Sequence, residues 1–264
     1  MGAPRKSTPS WEGAVSEVVD VRGDSRDAAV QRAAEALQAG ELVVIPTDTL
    51  YGLAADAFSL PGTARVFDVK ERDIRLPLPV LVRSQKQLIG LTPTIPAAAE
   101  ALMAAFWPGP LTLVIPAESG LRWDLGHTEG TVAVRMPLDE VALAVIRAVG
   151  PLAVTSANRS GEPAAVTVED ALDQFGDAVA LYLDDGPRAD NVPSTIVDLT
   201  RREPHILREG ALPSDWVLAV ANGEVDPLDA ATNGIFAGEP PITGPPMEDT
   251  APVESQGDVT DGDG

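Results

Sequence analysis

Between residues 20 and 211 the chain predicts a single α/β domain with a twisted, mixed (parallel and antiparallel) sheet flanked by helices. Three observations predict it. Apolar runs of strand length alternate with segments of helical period. Several runs are separated by loops too short to hold a helix, so some neighbours must pair antiparallel. Apolar residues make up 44% of 264, enough for a sizeable core, and with aromatics at only 4% that core is built from Ala, Val, Leu and Ile.

The elements follow in order. Val30, Ala33, Ala34 and Leu37 recur at helical spacing, and Gly40 stands where a helix C-terminus favours glycine. LVVI (42–45) is a strand, and TARVFDVK (63–70) reads as a short helix opened by Thr63. LPVLV (78–82) is a strand. PAAAEALMAAFW (96–107) is a helix with Pro96 in its first turn, stopped by Pro108. LTLVI (111–115) and TVAVRM (131–136) are strands, DEVALAVIRAVG (139–150) is a helix ended by Gly150, and LAVT (152–155) is a strand. Thr167 and Asp170 form a capping-box-like start for a helix through Phe175. VALYL, STIVDL and PHILR complete the strands. Residues 1–19 read as an N-terminal extension, partly disordered. Residues 212–264 read as a disordered, acidic, Pro/Gly-rich tail, whose composition buries too little apolar surface to offset its ordering entropy. Truncation near residue 212 is therefore expected to leave a folded, active core.

The chain has no cysteine, which excludes disulfides, thiolate metal sites and cysteine nucleophiles and fits a reducing compartment. Its two histidines, His127 and His205, show no metal-ligand spacing. No stretch approaches a membrane span, and MGAPRKSTPSWEG lacks the apolar middle of a signal peptide, so a cytoplasmic protein is expected. Net charge is −21. Residues 212–264 hold eleven acids and no Lys or Arg, and residues 1–211 hold the other 29 acids and all 19 bases. A broad basic face for nucleic acid is not expected from such a balance, whereas a local basic pocket is compatible with it.

Four places set polar clusters at the ends of apolar elements: PTDTLYG (46–52), Lys70-Glu71-Arg72, TSANRSGEP (155–163) and VPSTIVD (192–198), with Arg208 in ILREG beyond. Arg135 lies inside TVAVRMP, where an arginine needs a partner. Taken singly, each has a bland reading: a solvated helix end for Lys70-Glu71-Arg72, a turn for SANRSG, a turn or cap for Asp48, a structural carboxylate partner for Arg135. Taken together they offer fixed cations, hydroxyls and an amide, without a nucleophile–base pair. Ligands of open α/β sheets commonly sit at the carboxyl ends of strands. Phosphoryl and nucleotidyl transfer need mainly positioning and charge neutralisation, usually with Mg²⁺, and each charge-assisted hydrogen bond contributes roughly 1.5–3 kcal/mol.

Seven motifs in order carry a resemblance: PTDTLYGLAADA, Lys70-Glu71-Arg72, FWPGPLTLVI (106–115), TVAVRMP (131–137), TSANRSGEPA (155–164), PSTIVD (193–198) and ILREG (206–210). Over roughly residues 25–211 the chain resembles the L-threonylcarbamoyladenylate synthase family, the YrdC-type domain, in its short, single-domain form. The resemblance implies synthesis of threonylcarbamoyl-AMP and pyrophosphate from L-threonine, bicarbonate (or CO₂) and ATP, with Mg²⁺ as the expected companion of ATP. It also implies a separate transferase that carries the product to adenosine 37 of tRNA. By resemblance, Lys70, Arg72, Ser156 and Asn158 form the catalytic tetrad, and Thr49, Tyr51, Arg135 and Ser156 receive threonine. Arg72, Thr131, Asn158, Ser194, Thr195 and Arg208 hold ATP, and Lys70 steadies the carbamate or the α-phosphate. Lys70→Ala or Arg72→Ala is expected to abolish pyrophosphate release with little loss of folding. The sequence departs from the family pattern at Asp73 (usually Pro), at Leu76-Pro77-Leu78 (often Asn-Pro-Leu) and at Leu81, where a threonine-binding His is common. The alternative reading is a module that binds double-stranded RNA or tRNA, weakly, without synthase activity. A carbamoyl-transfer domain of the hydrogenase-maturation type normally accompanies zinc-binding cysteines, and none exist here.

Overall fold

The structure, a computed structural model, describes residues 16–189 and 192–234. Ten strands form one sheet: β1 Glu17–Asp20, β2 Val43–Ile45, β3 Gly52–Asp56, β4 Val80–Leu81, β5 Leu111–Pro116, β6 Thr131–Arg135, β7 Leu152–Ser156, β8 Leu181–Asp184, β9 Thr195–Asp198 and β10 His205–Arg208. Their spatial order is β1-β8-β2-β3-β7-β4-β6-β5-β9-β10. Four neighbouring pairs are parallel (β1·β8, β2·β8, β4·β6, β5·β9) and five antiparallel (β2·β3, β3·β7, β4·β7, β5·β6, β9·β10), so the sheet is mixed.

Seven α-helices accompany it among the described residues: α1 Arg26–Gln38, α2 Leu60–Lys70, α3 Ala97–Phe106, α4 Glu140–Val149, α5 Val168–Phe175, α6 Ser214–Ala221 and the single turn α7 Pro227–Asp229. The helix starting at Thr167 has the capping box read from the sequence, with each partner bonded to the other's backbone amide. The start of α2 differs from expectation. Ser59, not Thr63, is its N-cap and accepts from the Gly62 amide at 3.2 Å, while Pro61 occupies the first turn that its ring geometry suits.

The two faces of the sheet are treated unequally. One face is buried along its length in a core that includes Leu53, Val80, Leu113, Val134, Ala153 and Val197, with α3 and α6 among its helices. The other face is covered by α1 and α4 only over the half that carries Ile45, Ala54, Leu81 and Val154. The remaining half, β6-β5-β9-β10, turns alternate side chains toward a cavity. Strand periodicity dictates which: with Val132, Val134, Leu113 and Val197 buried beneath, Thr131, Arg135, Thr112, Val114 and Ile196 point the other way.

Two boundary expectations are corrected. The chain does not stop folding at residue 211, because Trp216, Val217 and Val220 of α6 are buried in the main core and Ala230 with them. The acidic composition of 212–264, read as one window, hid the helical period of WVLAV. Likewise β1 begins inside the span read as an N-terminal extension, crosses its boundary and pairs with β8. The readings of residues 1–15 and 235–264 lie outside the described residues. No helix among the described residues is long and apolar enough to cross a membrane.

Candidate active site

The open half-face forms the floor of a cavity of about 630 Å³. Eight of the residues singled out from the sequence border it: Thr49, Tyr51, Arg72, Thr131, Arg135, Ser156, Ser194 and Arg208. The cavity does not lie at one edge of carboxyl ends. Arg135 is level with Leu81, and Leu81 with Leu152 at the start of β7, whereas Ser156 ends β7, four residues or about 13 Å away. A mixed sheet has no single carboxyl edge, so the site spreads across a face.

PTDTLY is the loop of the β2–β3 hairpin, between the paired residues Ile45 and Gly52. Thr47 organises it: its hydroxyl donates to the Leu50 carbonyl at 2.6 Å and accepts from the Thr49 and Leu50 amides. The Thr47 and Thr49 hydroxyls lie 3.1 Å apart. Arg135 crosses to this loop, 7% exposed, donating to Asp48 Oδ1 at 2.6 Å, Thr49 Oγ1 at 3.0 Å and the Gly109 carbonyl at 3.0 Å. Asp48 also accepts from the Leu138 amide. The buried arginine thus has its structural carboxylate, and Asp48 is more than a turn residue. Tyr51 does not present its phenol to the cavity. The side chain is fully buried, its hydroxyl donates to the Gly186 carbonyl at 2.7 Å and accepts from the Asp185 amide, and burial pushes its pKa up to about 12.

α2 ends with Glu71 in the left-handed conformation (φ 53°), closed by the Arg72 amide on the Phe67 carbonyl. This turn sends neighbours in different directions. Lys70 goes inward, 2% exposed, and donates to the Ser156 carbonyl at 2.5 Å, to the Asn158 carbonyl and to Asn158 Oδ1 at 3.3 Å. Burial, and then the Arg72 charge, push its pKa down to about 7. Arg72 instead reaches the cavity, steadied by the Leu76 and Pro77 carbonyls.

Lys70, Asn158 and Thr195 lie outside the cavity wall. Lys70 sits behind the SAN loop and holds its carbonyls. Asn158 binds the same loop together, with Oδ1 accepting from Ser156 Oγ at 2.5 Å and Nδ2 donating to the Arg159 and Glu162 carbonyls. Thr195 is fully buried and its hydroxyl is spent on Leu212. It opens β9 directly after Ser194, and the two side chains point to different sides. Ser194 faces the cavity, its hydroxyl 2.8 Å from Thr112 Oγ1, and Arg208 clasps its carbonyl at 2.7 Å and its hydroxyl at 3.0 Å. Thr131 turns its hydroxyl back to the Thr128 carbonyl.

The cations feel one another. Burial lowers the Arg208 pKa, and the charges of Arg135 and Arg72 lower it further. Burial alone lowers that of Arg72. Three guanidiniums bordering one cleft, a buried ammonium behind it and a single carboxylate already bound to Arg135 make a cup that lacks anions. Sequence reading missed Thr112, whose hydroxyl looked like filler in an apolar strand. Leu76-Pro77-Leu78 and Leu81, noted in the sequence as departures from the family pattern, line the same cavity as an apolar wall.

Fold and site together define an α/β protein whose uncovered sheet face carries a cavity lined by cations and hydroxyls from hairpin, helix-end and strand residues. The family profile Sua5_yciO_yrdC, described as telomere recombination, matches residues 35–210. The chain belongs to this family. A protein of Mycobacterium leprae (strain TN), named as a candidate threonylcarbamoyl-AMP synthase, is 48% identical over 197 residues, 74% of this chain and 90% of that one. A threonylcarbamoyl-AMP synthase of Pyrococcus abyssi (strain GE5 / Orsay) is 37% identical over 209 residues, 79% of this chain and 61% of its own. The crystal structure of P. abyssi Sua5 complexed with L-threonine superposes with a TM-score of 0.75 at 36% identity, over 80% of this chain and 62% of that one. The chain thus spans about three fifths of the length of the Pyrococcus protein.

Proposed function

We propose that this chain is a threonylcarbamoyl-AMP synthase, a nucleotidyltransferase that converts L-threonine, bicarbonate or CO₂ and ATP into threonylcarbamoyl-AMP and pyrophosphate. The observation that carries the reading is the convergence of Arg72, Arg135 and Arg208 on one cavity, with Lys70 behind its SAN loop. Relatives named for this activity support it. The threonine amine captures CO₂, a carbamate oxygen attacks the α-phosphorus of ATP, and pyrophosphate leaves. No protein nucleophile is required; charge must be neutralised as it moves between oxygens. Arg72 and Arg208 hold the triphosphate, beside Ser194 and Thr131. Arg135 and Thr49 receive the amino acid, with the guanidinium N–H groups not engaged by Asp48, Thr49 and Gly109 free to meet its carboxylate. Ser156 also meets the amino acid. Lys70 and Asn158 act by fixing the loop that carries Ser156.

No group of three His, Asp or Glu side chains among the described residues is placed to hold a metal. The hydroxyls of Thr112, Thr131 and Ser194 would hold a hydrated Mg²⁺ arriving with ATP, which would supply charge neutralisation for the triphosphate. The labile product passes to a separate transferase for attachment to adenosine 37 of tRNA, which places the protein in the cytoplasm with its ATP and tRNA. The test is pyrophosphate release measured with threonine, with serine and with no amino acid, each with and without bicarbonate. Release that requires threonine and bicarbonate is expected; release that ignores both overturns the reading.

A further inference from the structure

Arg188 belongs to none of the motifs above, and the geometry points to it as the residue that positions the PTDTLY loop for the amino acid. Its guanidinium is nearly enclosed and serves five acceptors: the Thr47 carbonyl at 3.3 Å, Asp139 Oδ2 at 3.3 Å, the Asp185 carbonyl at 2.6 Å, Asp185 Oδ2 at 3.0 Å and the Gly186 carbonyl at 3.2 Å. The same group lies over the Tyr51 ring, 5.4 Å from its centre, and Tyr51 is itself bonded to Asp185 and Gly186. Three loops meet there. The hairpin loop brings Thr47 and Tyr51, the segment entering α4 brings Asp139, which caps that helix through the Ala142 amide, and the segment after β8 brings Asp185 and Gly186.

The contacts converge on substrate geometry rather than on the core. Thr47 is the residue whose hydroxyl shapes the loop carrying Thr49, and Arg188 fixes its carbonyl. The α4 entry that Arg188 holds through Asp139 also supplies the Leu138 amide to Asp48, the carboxylate that orients Arg135. Arg188 therefore steadies both groups assigned to threonine above, Thr49 through Thr47 and Arg135 through Asp139, Leu138 and Asp48, without bonding Arg72 or Arg208. A lysine could satisfy part of this set but not fork across five acceptors. The inference rests on the threonine roles given under the proposed function.

The test compares wild type with Arg188→Met and Arg188→Lys by two readouts. Hydrogen exchange follows the Thr49, Leu50 and Leu138 amides, which are bonded to Thr47 Oγ1 or Asp48 Oδ1. Kinetics follow KM for threonine and for ATP separately. Faster exchange at those amides is expected in both variants. KM for threonine is expected to rise about ten- to a hundredfold in Arg188→Met, with KM for ATP little changed and a partial return in Arg188→Lys. If Arg188→Met fails to fold, Arg188→Lys carries the comparison. Unchanged exchange, or equal changes in both KM values, overturns the inference. A wild type without threonine-dependent pyrophosphate release refutes the proposed function instead, and the exchange data still decide whether Arg188 sets the loop.

Discussion

Lys70 shows how one side chain can matter without facing a substrate. Its ammonium has three acceptors on the SAN loop, and removing it leaves the part-buried Asn158 carbonyl without its donor, while the Ser156 carbonyl keeps only the Asn158 amide. The expectation that Lys70→Ala would spare folding therefore changes: a loss of about 1–3 kcal/mol in urea unfolding is expected, together with loss of activity. Because the native pKa is about 7 against 10.5 for an ordinary lysine, the native state sheds this proton before the unfolded chain does. The unfolded state binds the extra proton between those values, so this group's contribution to stability rises as pH increases through that window. Wild type should gain stability from pH 7 to 9 relative to Lys70→Met, and a parallel response of the two proteins would contradict the assignment. Arg72, by contrast, borders the cavity and leans only on loop carbonyls. Arg72→Met is expected to lower kcat/KM for ATP about ten- to a hundredfold, the worth of one charge-assisted contact, with a small change in melting temperature.

At the scale of elements, the site depends on two backbones approaching closely where β9 begins and β10 ends. A Cβ on Gly210 would lie 2.4 Å from Ser194 C and from Thr195 N. No side chain can give way there, because the obstacles are backbone. Gly210→Ala should therefore push the ILREG turn off the PST segment, loosen the grip of Arg208 on Ser194 and raise KM for ATP, while KM for threonine stays near wild type. Crystallography or a two-substrate KM measurement would show whether the displacement occurs. The hairpin is similarly constrained at Gly52, where a Cβ would meet Val154 Cγ1 at 2.6 Å. The glycine in LYG thus has a packing reason in addition to its place next to the loop.

For the whole molecule, the acidic balance and the cationic cup coexist because the cup is walled in and small. The folded body also reaches further than composition suggested, since α6 closes the core over α3. Truncation after residue 211 would remove buried Trp216 and Val217, and losses of this kind cost about 3–5 kcal/mol for an aromatic alone. A chain ending at residue 211 is expected to be insoluble or to melt well below wild type, whereas one ending at residue 234 should melt like the full chain and retain its activity. Circular dichroism melts of the two truncations check this directly. A stable 1–211 fragment would mean that α6 contributes little.

Most strands and helices were legible because burial imposes periods that a sequence displays: PAAAEALMAAFW, TVAVRM and the Thr167 capping box needed no neighbours to be recognised. The polar loops were legible as a set because so many hydroxyls and cations at element ends exceed what turns require. β1, β3 and α6 were not, since EVVD and GLAAD are short and WVLAV was masked by the acidic composition around it. Orientation, too, was beyond reach. Whether Lys70 or Arg72 faces the cavity depends on a left-handed Glu71; whether Ser194 or Thr195 does depends on which face of the sheet the helices leave bare. The amino-acid order by itself determined the local periods and the inventory of charge. Only the tertiary structure decided which charges meet, because that depends on strand register and helix coverage between residues far apart in the chain.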